Sequence, residues 1–189
     1  MHRVSVCHRL LWQISPRMRH LNVEIKVRVD ELEPFRRRLD ALDASHTGTD
    51  TQRDTYFKVP EGRLKVREGT IEQGIIFYKR PDQTGPKPSQ IERTDPGKAL
   101  AAVHAVLQAA LPVDVVVEKT RSIYWVGTVK VHLDEVPELG HFVELEAVDT
   151  DGTATEADLR AACADLMDAL NIPANQLVDR SYADLVREQ

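Results

Sequence analysis

Residues 21–29, LNVEIKVRV, alternate strictly: apolar side chains stand at every odd position, and Asn22, Glu24, Lys26 and Arg28 stand between them. That period of two predicts a strand with one apolar face and one polar face. The same pattern returns along the chain. In GRLKVRE, Arg63, Lys65 and Arg67 share a face opposite Leu64 and Val66. In VKVHLDEV, Lys130, His132 and Asp134 alternate with Val129, Val131 and Leu133, and in HFVELEAV, Glu144 and Glu146 alternate with Val143, Leu145 and Ala147. Two strands are less tidy: IIFYKR sets Lys79 with Phe77, and VVVEKTR sets Lys119 and Arg121 with Val115 and Val117.

Between and beyond these segments, further strand-like runs fall at 45–50, 53–59, 63–68, 74–80, 88–94, 113–120, 121–126, 128–136 and 140–148. VDELEPFRRRLDALD predicts a helix capped by Asp30, with Glu33 three residues on, Pro34 in the first turn and a stripe of Phe35, Leu39 and Leu42. A second helix follows Asp95-Pro96, with Leu100, Val103, Val106, Leu107 and Leu111 on one face and Pro112 at its end. Thr153 or Thr155 caps a third helix carrying Leu159, Leu166, Met167 and Leu170, and an amphipathic tail covers 174–187. About eight strands on short turns, with few helices, predict an α+β fold: a closed eight-stranded antiparallel barrel with helices packed outside.

The inward polar positions are nearly all ionisable, whereas an exposed sheet face would use Thr and Ser freely. Six strands contributing Lys, Arg, Asp and Glu to one face fit a barrel with a charged lumen and an apolar, helix-covered outside. In ELE, two carboxylates on one strand face lie ~7 Å apart and repel by about 2 kcal/mol at an effective dielectric near 20. Glu24 and Asp134, facing the same lumen, add to this. Protons or a divalent cation would relieve it, and oxygen ligands suit Mg²⁺ or Mn²⁺. Lys26, Lys65, Arg67, Lys79, Lys119 and Arg121 would likewise repel one another unless an anion sat among them. Magnesium beside a ring of Lys and Arg is the arrangement that polyphosphate chemistry requires.

Composition narrows the choice. The chain has 189 residues and a net charge of −5, while residues 1–20 carry four arginines and no acid. The remainder is therefore more acidic than the whole, which argues against a bulk nucleic-acid partner. No apolar run approaches the ~20 residues of a membrane span. Cys7 and Cys163, in no paired or metal-type spacing, read as free thiols of a cytoplasmic protein. Residues 1–19 are expected to be a disordered extension, with 20–189 forming the domain.

These segments together resemble the CYTH, or triphosphate tunnel metalloenzyme, superfamily, which holds class IV adenylyl cyclases, thiamine triphosphatases and tripolyphosphatases. The resemblance covers roughly residues 20–187 and rests on VEIKVRV, DTYF with GRLKVRE, FYKRPDQTGPKPS, VEKTRSIYWV, VHLDEVPELGHFVELEAV and LVDRSYADLV. It implies an eight-stranded tunnel, with Glu24, Glu144, Glu146 and Asp134 as metal-linked residues. It also implies Lys26, Lys65, Arg67, Lys79, Lys119 and Arg121 as triphosphate-binding groups. Lys26 and Asp134 would stand nearest the chemistry. The family's Glu-x-Glu-x-Lys hallmark reads Asn22-Val23-Glu24-Ile25-Lys26 here, so one carboxylate is an amide. NVEIK and FYKRPDQTGPKPS are most similar to the bacterial class IV cyclase group. The resemblance thus implies conversion of ATP to cyclic AMP and pyrophosphate. Hydrolysis of thiamine triphosphate or tripolyphosphate is the alternative, and a non-catalytic polyphosphate or nucleotide binder the second; a homodimer is left open.

Overall fold

A computed structural model of the protein describes residues 18–80, 85–149 and 152–189. Eight strands close into one antiparallel barrel in the order β1-β5-β4-β3-β2-β6-β7-β8. They are β1 (Met18–Val29), β2 (Ser45–Phe57), β3 (Arg63–Gly69), β4 (Gly74–Lys79), β5 (Lys87–Thr94), β6 (Val113–Val126), β7 (Val129–Val136) and β8 (Gly140–Val148). The helices are α1 (Glu33–Ala41), α2 (Leu100–Ala110), α3 (Glu156–Ala169) and α4 (Tyr182–Arg187). Of the expected extension, residues 1–17 lie outside the described residues, and β1 already runs from Met18.

The runs 45–50 and 53–59 are one strand, as are 113–120 and 121–126. Neither Thr51-Gln52 nor Thr120-Arg121 supplies a turn, and β2 and β6 pair from Ser45↔Trp125 to Phe57↔Val113, with a register shift at Gly48. Asp30 does not cap α1. The helix begins at Glu33, and Leu32 accepts from the amides of Phe35 and Arg36, both at 3.1 Å. Asp30 sits too far back, in the bend leaving β1, where its carbonyl meets His141 Nδ1 at 2.9 Å. Thr155 does cap α3, in a reciprocal pair with Asp158.

The apolar faces pack outward, as the alternation required. Val23, Ile25 and Val27 of β1 join Val143 and Leu145 of β8 beneath Leu39 of α1 and Leu159, Cys163 and Leu166 of α3. Leu100 of α2 covers Phe57 and Val66, with Leu64, Leu107 and Leu111 beside them. Val106, expected on that stripe, is 66% exposed. The buried stripe follows Leu100, His104, Leu107 and Leu111 instead, a spacing that turns Val106 to the far side.

The C-terminal segment comes back to the barrel. Val27 bridges Leu177, the Val178 amide donates to the Lys26 carbonyl at 2.8 Å, and Tyr182 packs edge-on against Phe142. Thus α4 sits at one mouth of the tunnel with Tyr182 buried. Among the described residues no helix is long and apolar enough to cross a membrane.

Candidate functional site

Strand register decides which charges meet. Across β1 and β8, Glu24 faces Glu146 and Lys26 faces Glu144. Across β7 and β8, Lys130 faces Glu146 and His132 faces Glu144, while Arg121 of β6 faces Asp134 of β7. Across β2 and β3, Asp54 faces Arg67. A cavity of about 490 Å³ opens among them, lined by Glu24, Lys26, Lys65, Arg67, Lys119, Arg121, Glu144 and Glu146. That volume suits a small-molecule ligand.

The carboxylates do not confront one another bare. Glu144 lies 3.0 Å from Lys26 Nζ and also accepts from Arg121, with His132 Nδ1 at 3.5 Å. Burial works to raise its pKa, but Lys26 and Arg121 prevail and hold it well below the carboxylate range. Asn22 Nδ2 donates to Glu146 at 2.5 Å, and Glu24 is paired with Arg80. The repulsion expected within ELE is therefore relieved by cations and an amide of the chain itself, which the sequence alternatives of protons or metal left out.

Asp134 does not reach the cavity surface. It is fully buried, gripped in a fork by Arg121 Nε and Nη2 at 2.7 and 2.5 Å, and accepts the Tyr182 hydroxyl at 2.6 Å. A carboxylate so engaged holds Arg121 in place, and three of its accepting sites are taken by Arg121 and Tyr182. Lys79 also departs from expectation. Its side chain is 51% exposed and pairs with Glu61 outside the barrel, because Ile76 and Tyr78 set the inward parity of β4. Arg80, one residue later, enters the lumen in its place.

Four further groups, Asp54, Glu72, Asp50 and Lys87, escape the sequence reading. Asp54 receives Lys65 Nζ at 2.8 Å, Lys119 Nζ at 3.0 Å, and Arg67 through Nε and Nη2, both at 2.8 Å. Glu72 reaches in from the β3–β4 turn to pair with Lys130 and with Arg67 Nη1 at 3.3 Å. Asp50 anchors that turn by accepting from the amides of Ile71 and Glu72 at 2.8 and 2.9 Å. Gly69 makes the approach possible, since a Cβ there would lie 2.2 Å from the Glu72 carbonyl. Lys87, buried in β5, donates to the Val178 carbonyl at 2.8 Å. Tyr56 and Tyr78 line the cavity, while Phe57 faces α2.

Cations outnumber their partners around Asp54. Burial, then Arg67, brings Lys65 down to about 7 despite Asp54; burial brings Lys119 to about 8, with Asp54 opposing. Such a cluster gains by receiving an anion.

Residues 20–182 match the CYTH domain family. The chain belongs to the CYTH family. An Aeromonas hydrophila protein, adenylate cyclase CyaB, is 30% identical over 176 residues, spanning 88% of each chain. A solved Vibrio parahaemolyticus structure shares the fold at TM-score 0.74 and 22% identity, over 90% of this chain and 99% of that one. The PH1012 protein of Pyrococcus horikoshii does so at TM-score 0.70 and 25% identity, over 87% and 98%.

CYTH tunnel enzymes use divalent metals, and the donor set here fits one. Glu24 and Glu146 stand opposite each other, and the neighbouring Asn22 Oδ1 is buried without a hydrogen-bond partner. Two carboxylates and a neutral oxygen are the hard donors that Mg²⁺ or Mn²⁺ takes. Among the described residues no three acidic, His or Cys side chains are gathered into a ready chelate, so a metal would compete with Arg80 for Glu24.

Asn22 in this CYTH lumen is therefore a testable position. Asn22→Glu removes the donor to Glu146 and sets a third carboxylate beside it. The metal-free variant is expected to melt earlier than wild type and to bind Mn²⁺ on the order of tenfold more tightly. Calorimetry and thermal melts with and without metal read both. Unchanged metal affinity and melting would show that residue 22 never reaches the metal.

Proposed function

We propose that this CYTH protein binds the triphosphate of ATP in its lumen and converts it to cyclic AMP and pyrophosphate. The observation that carries the reading is the surplus of buried cations, with Lys65, Arg67 and Lys119 sharing the carboxylate of Asp54 and only Arg67 also reaching Glu72. An entering polyphosphate would supply the missing negative charge, with Arg67 and Arg121 offering fork geometry and the lysines point charges. The cavity wall also carries Ile76, Tyr78, Ile91 and Trp125. This apolar stretch favours a nucleoside triphosphate over an inorganic chain, because a base can stack there. The 30% identity to an adenylate cyclase supports the same choice.

In this reading Glu24 and Glu146, with Asn22, would hold a divalent ion, whose charge would offset that of the phosphate oxygens. Lys26 stands beside Glu144 at 3.0 Å and over the Tyr182 ring at 3.6 Å, where it neutralises charge on the reacting phosphate. Asp134 acts through Arg121, fixing its planar fork. The ribose 3′-oxygen attacks the α-phosphorus, the bond to the bridging oxygen breaks, pyrophosphate leaves and the hydroxyl proton is released. The closed barrel and Tyr182 keep bulk water from that phosphorus. The free Cys163 thiol, on the buried face of α3, suits a cytoplasmic setting.

Hydrolysis of a triphosphate would use the same cradle, with water as nucleophile. Incubation with ATP, thiamine triphosphate and tripolyphosphate under Mg²⁺ and Mn²⁺, with products separated, decides between them. Cyclic AMP with stoichiometric pyrophosphate is the expected result. Orthophosphate release without cyclic product would replace the cyclase reading with the hydrolase one.

A further inference from the structure

We propose that Asp54 is the positioning residue of the anion site, a built-in counter-ion that holds Lys65, Arg67 and Lys119 aimed at one point before any substrate arrives. The inference rests on the triphosphate reading and deepens it. Asp54 is 1% exposed and touches no part of the cavity surface, so it does not itself meet the ligand. Both its oxygens are used: Oδ1 by Arg67 Nε at 2.8 Å, and Oδ2 by Arg67 Nη2, Lys65 Nζ and Lys119 Nζ at 2.8, 2.8 and 3.0 Å. The three cations come from two strands, β3 and β6, that flank β2 on either side. The strand between them is β2, and Asp54 on it meets both sets.

Two consequences follow. The first is geometric: long Lys side chains lose rotamer freedom when an anion orders them, and a carboxylate that has already ordered them lowers that cost of binding. The second is electrostatic. Around the cluster stand Tyr56 of β2, Lys65 and Arg67 of β3, Glu72 of the following turn, Tyr78 of β4, Lys119 and Arg121 of β6, Asp134 of β7 and Tyr182 of α4. Burial disfavours the charge on Lys65 and Lys119, Arg67 disfavours it further on both and Arg121 on Lys119 as well, and Asp54 works against these. Without that carboxylate the charged form of both lysines would be less favoured, and a phosphate would meet fewer ready cations.

The test is tripolyphosphate binding by calorimetry, in chelator, from pH 6.5 to 9.5. Wild type is expected to bind; failure to bind would remove the triphosphate reading itself. Asp54→Asn is expected to bind at least about tenfold more weakly at pH 7.5, with the alkaline loss of affinity moved about one pH unit lower. Asp54→Glu, which keeps the charge, is expected to restore the pH limb in part. A structural role alone would leave that limb where it was. Wild-type binding combined with equal or tighter binding by Asp54→Asn would overturn the proposal. Should Asp54→Asn not fold, Asp54→Asn/Lys65→Met, which removes a charge of each sign, is compared with Lys65→Met. Weaker binding by the double variant supports the assignment, and equal binding overturns it.

Discussion

Glu144→Gln is expected to lower turnover by roughly two to three orders of magnitude and to destabilise the fold by about 2 kcal/mol. The kinetic loss follows from its place. Glu144 is the carboxylate that gathers Lys26, Arg121 and His132 around the cavity, two residues along β8 from Glu146. Glutamine keeps the shape and loses the charge, so Lys26 and Arg121 lose part of what aims them. The sign of the stability effect is less obvious. Two carboxylates at 144 and 146 repel, and removing one would then stabilise the barrel. The pairing shows that the repulsion is already overcome: Glu144 is held well below the ordinary carboxylate pKa by two buried cations. A depressed carboxylate contributes stability above its unfolded pKa and loses it as pH falls through the folded one, so at neutral pH the full contribution is present and Gln forfeits it. Urea titration at pH 7.5 beside kcat and KM measures both effects. Wild-type turnover in a folded Gln variant would remove Glu144 from the site, and a gain in stability would mean that repulsion, not pairing, governs that face.

Much of this site could be read from the chain before folding, and the exceptions have physical causes. Strands β1, β3, β7 and β8 bury one face under helices, so their period of two is clean and their charged residues go where alternation puts them. On β2 the outward residues near the mouth, Thr51 and Arg53, are exposed and polar too. The inward series Asp50, Gln52 and Asp54 therefore carries no contrast, and Asp54 went unnoticed. In β4 the first cation met is Lys79, but Ile76 and Tyr78 already fix the inward parity, and extending it one step gives Arg80. That signal was present in the sequence. Glu72 lies on a turn, where no periodicity speaks; its place depends on Asp50 reaching amides 21 and 22 residues away. The grip of Arg121 on Asp134 requires the register of β6 against β7, which alternation within a single strand does not supply. What a strand shows by itself is which side a residue faces. Which partner it finds there belongs to the closed barrel.

The second large effect is a fall of anion affinity with rising pH, in opposition to the stability of the free protein. In the free fold burial brings Lys65 down to about 7 and Lys119 to about 8, against an ordinary value of 10.5. A bound polyphosphate returns both toward their ordinary range, so binding between those limits takes up protons. Affinity must then decline as pH rises, approaching about a hundredfold per unit where both lysines titrate together. For folding the sign is reversed. A lysine depressed in the folded state holds fewer protons there than in the unfolded chain, so its contribution to stability improves from about pH 7 toward 10.5, and below pH 7 the cost of its buried charge is felt in full. Asp54, Glu72, Asp134 and Glu144, held below the ordinary carboxylate range, are ionised throughout this window, and the raised pKa values of Tyr56 and Tyr182 matter only above it. Lys87, brought to about 8 chiefly by burial, titrates within it and adds to the same trend in stability. Urea midpoints at pH 6.5, 7.5, 8.5 and 9.5, with and without tripolyphosphate, are therefore expected to converge: the free protein gains while the ligand-induced increment shrinks. Tripolyphosphate itself ionises further in this range, so sulfate, fully ionised throughout, is run beside it. A ligand increment that stays constant or grows with pH for both anions would mean that binding leaves the protonation of Lys65 and Lys119 unchanged, and the anion site would have to be rebuilt around Arg67, Arg80 and Arg121 alone.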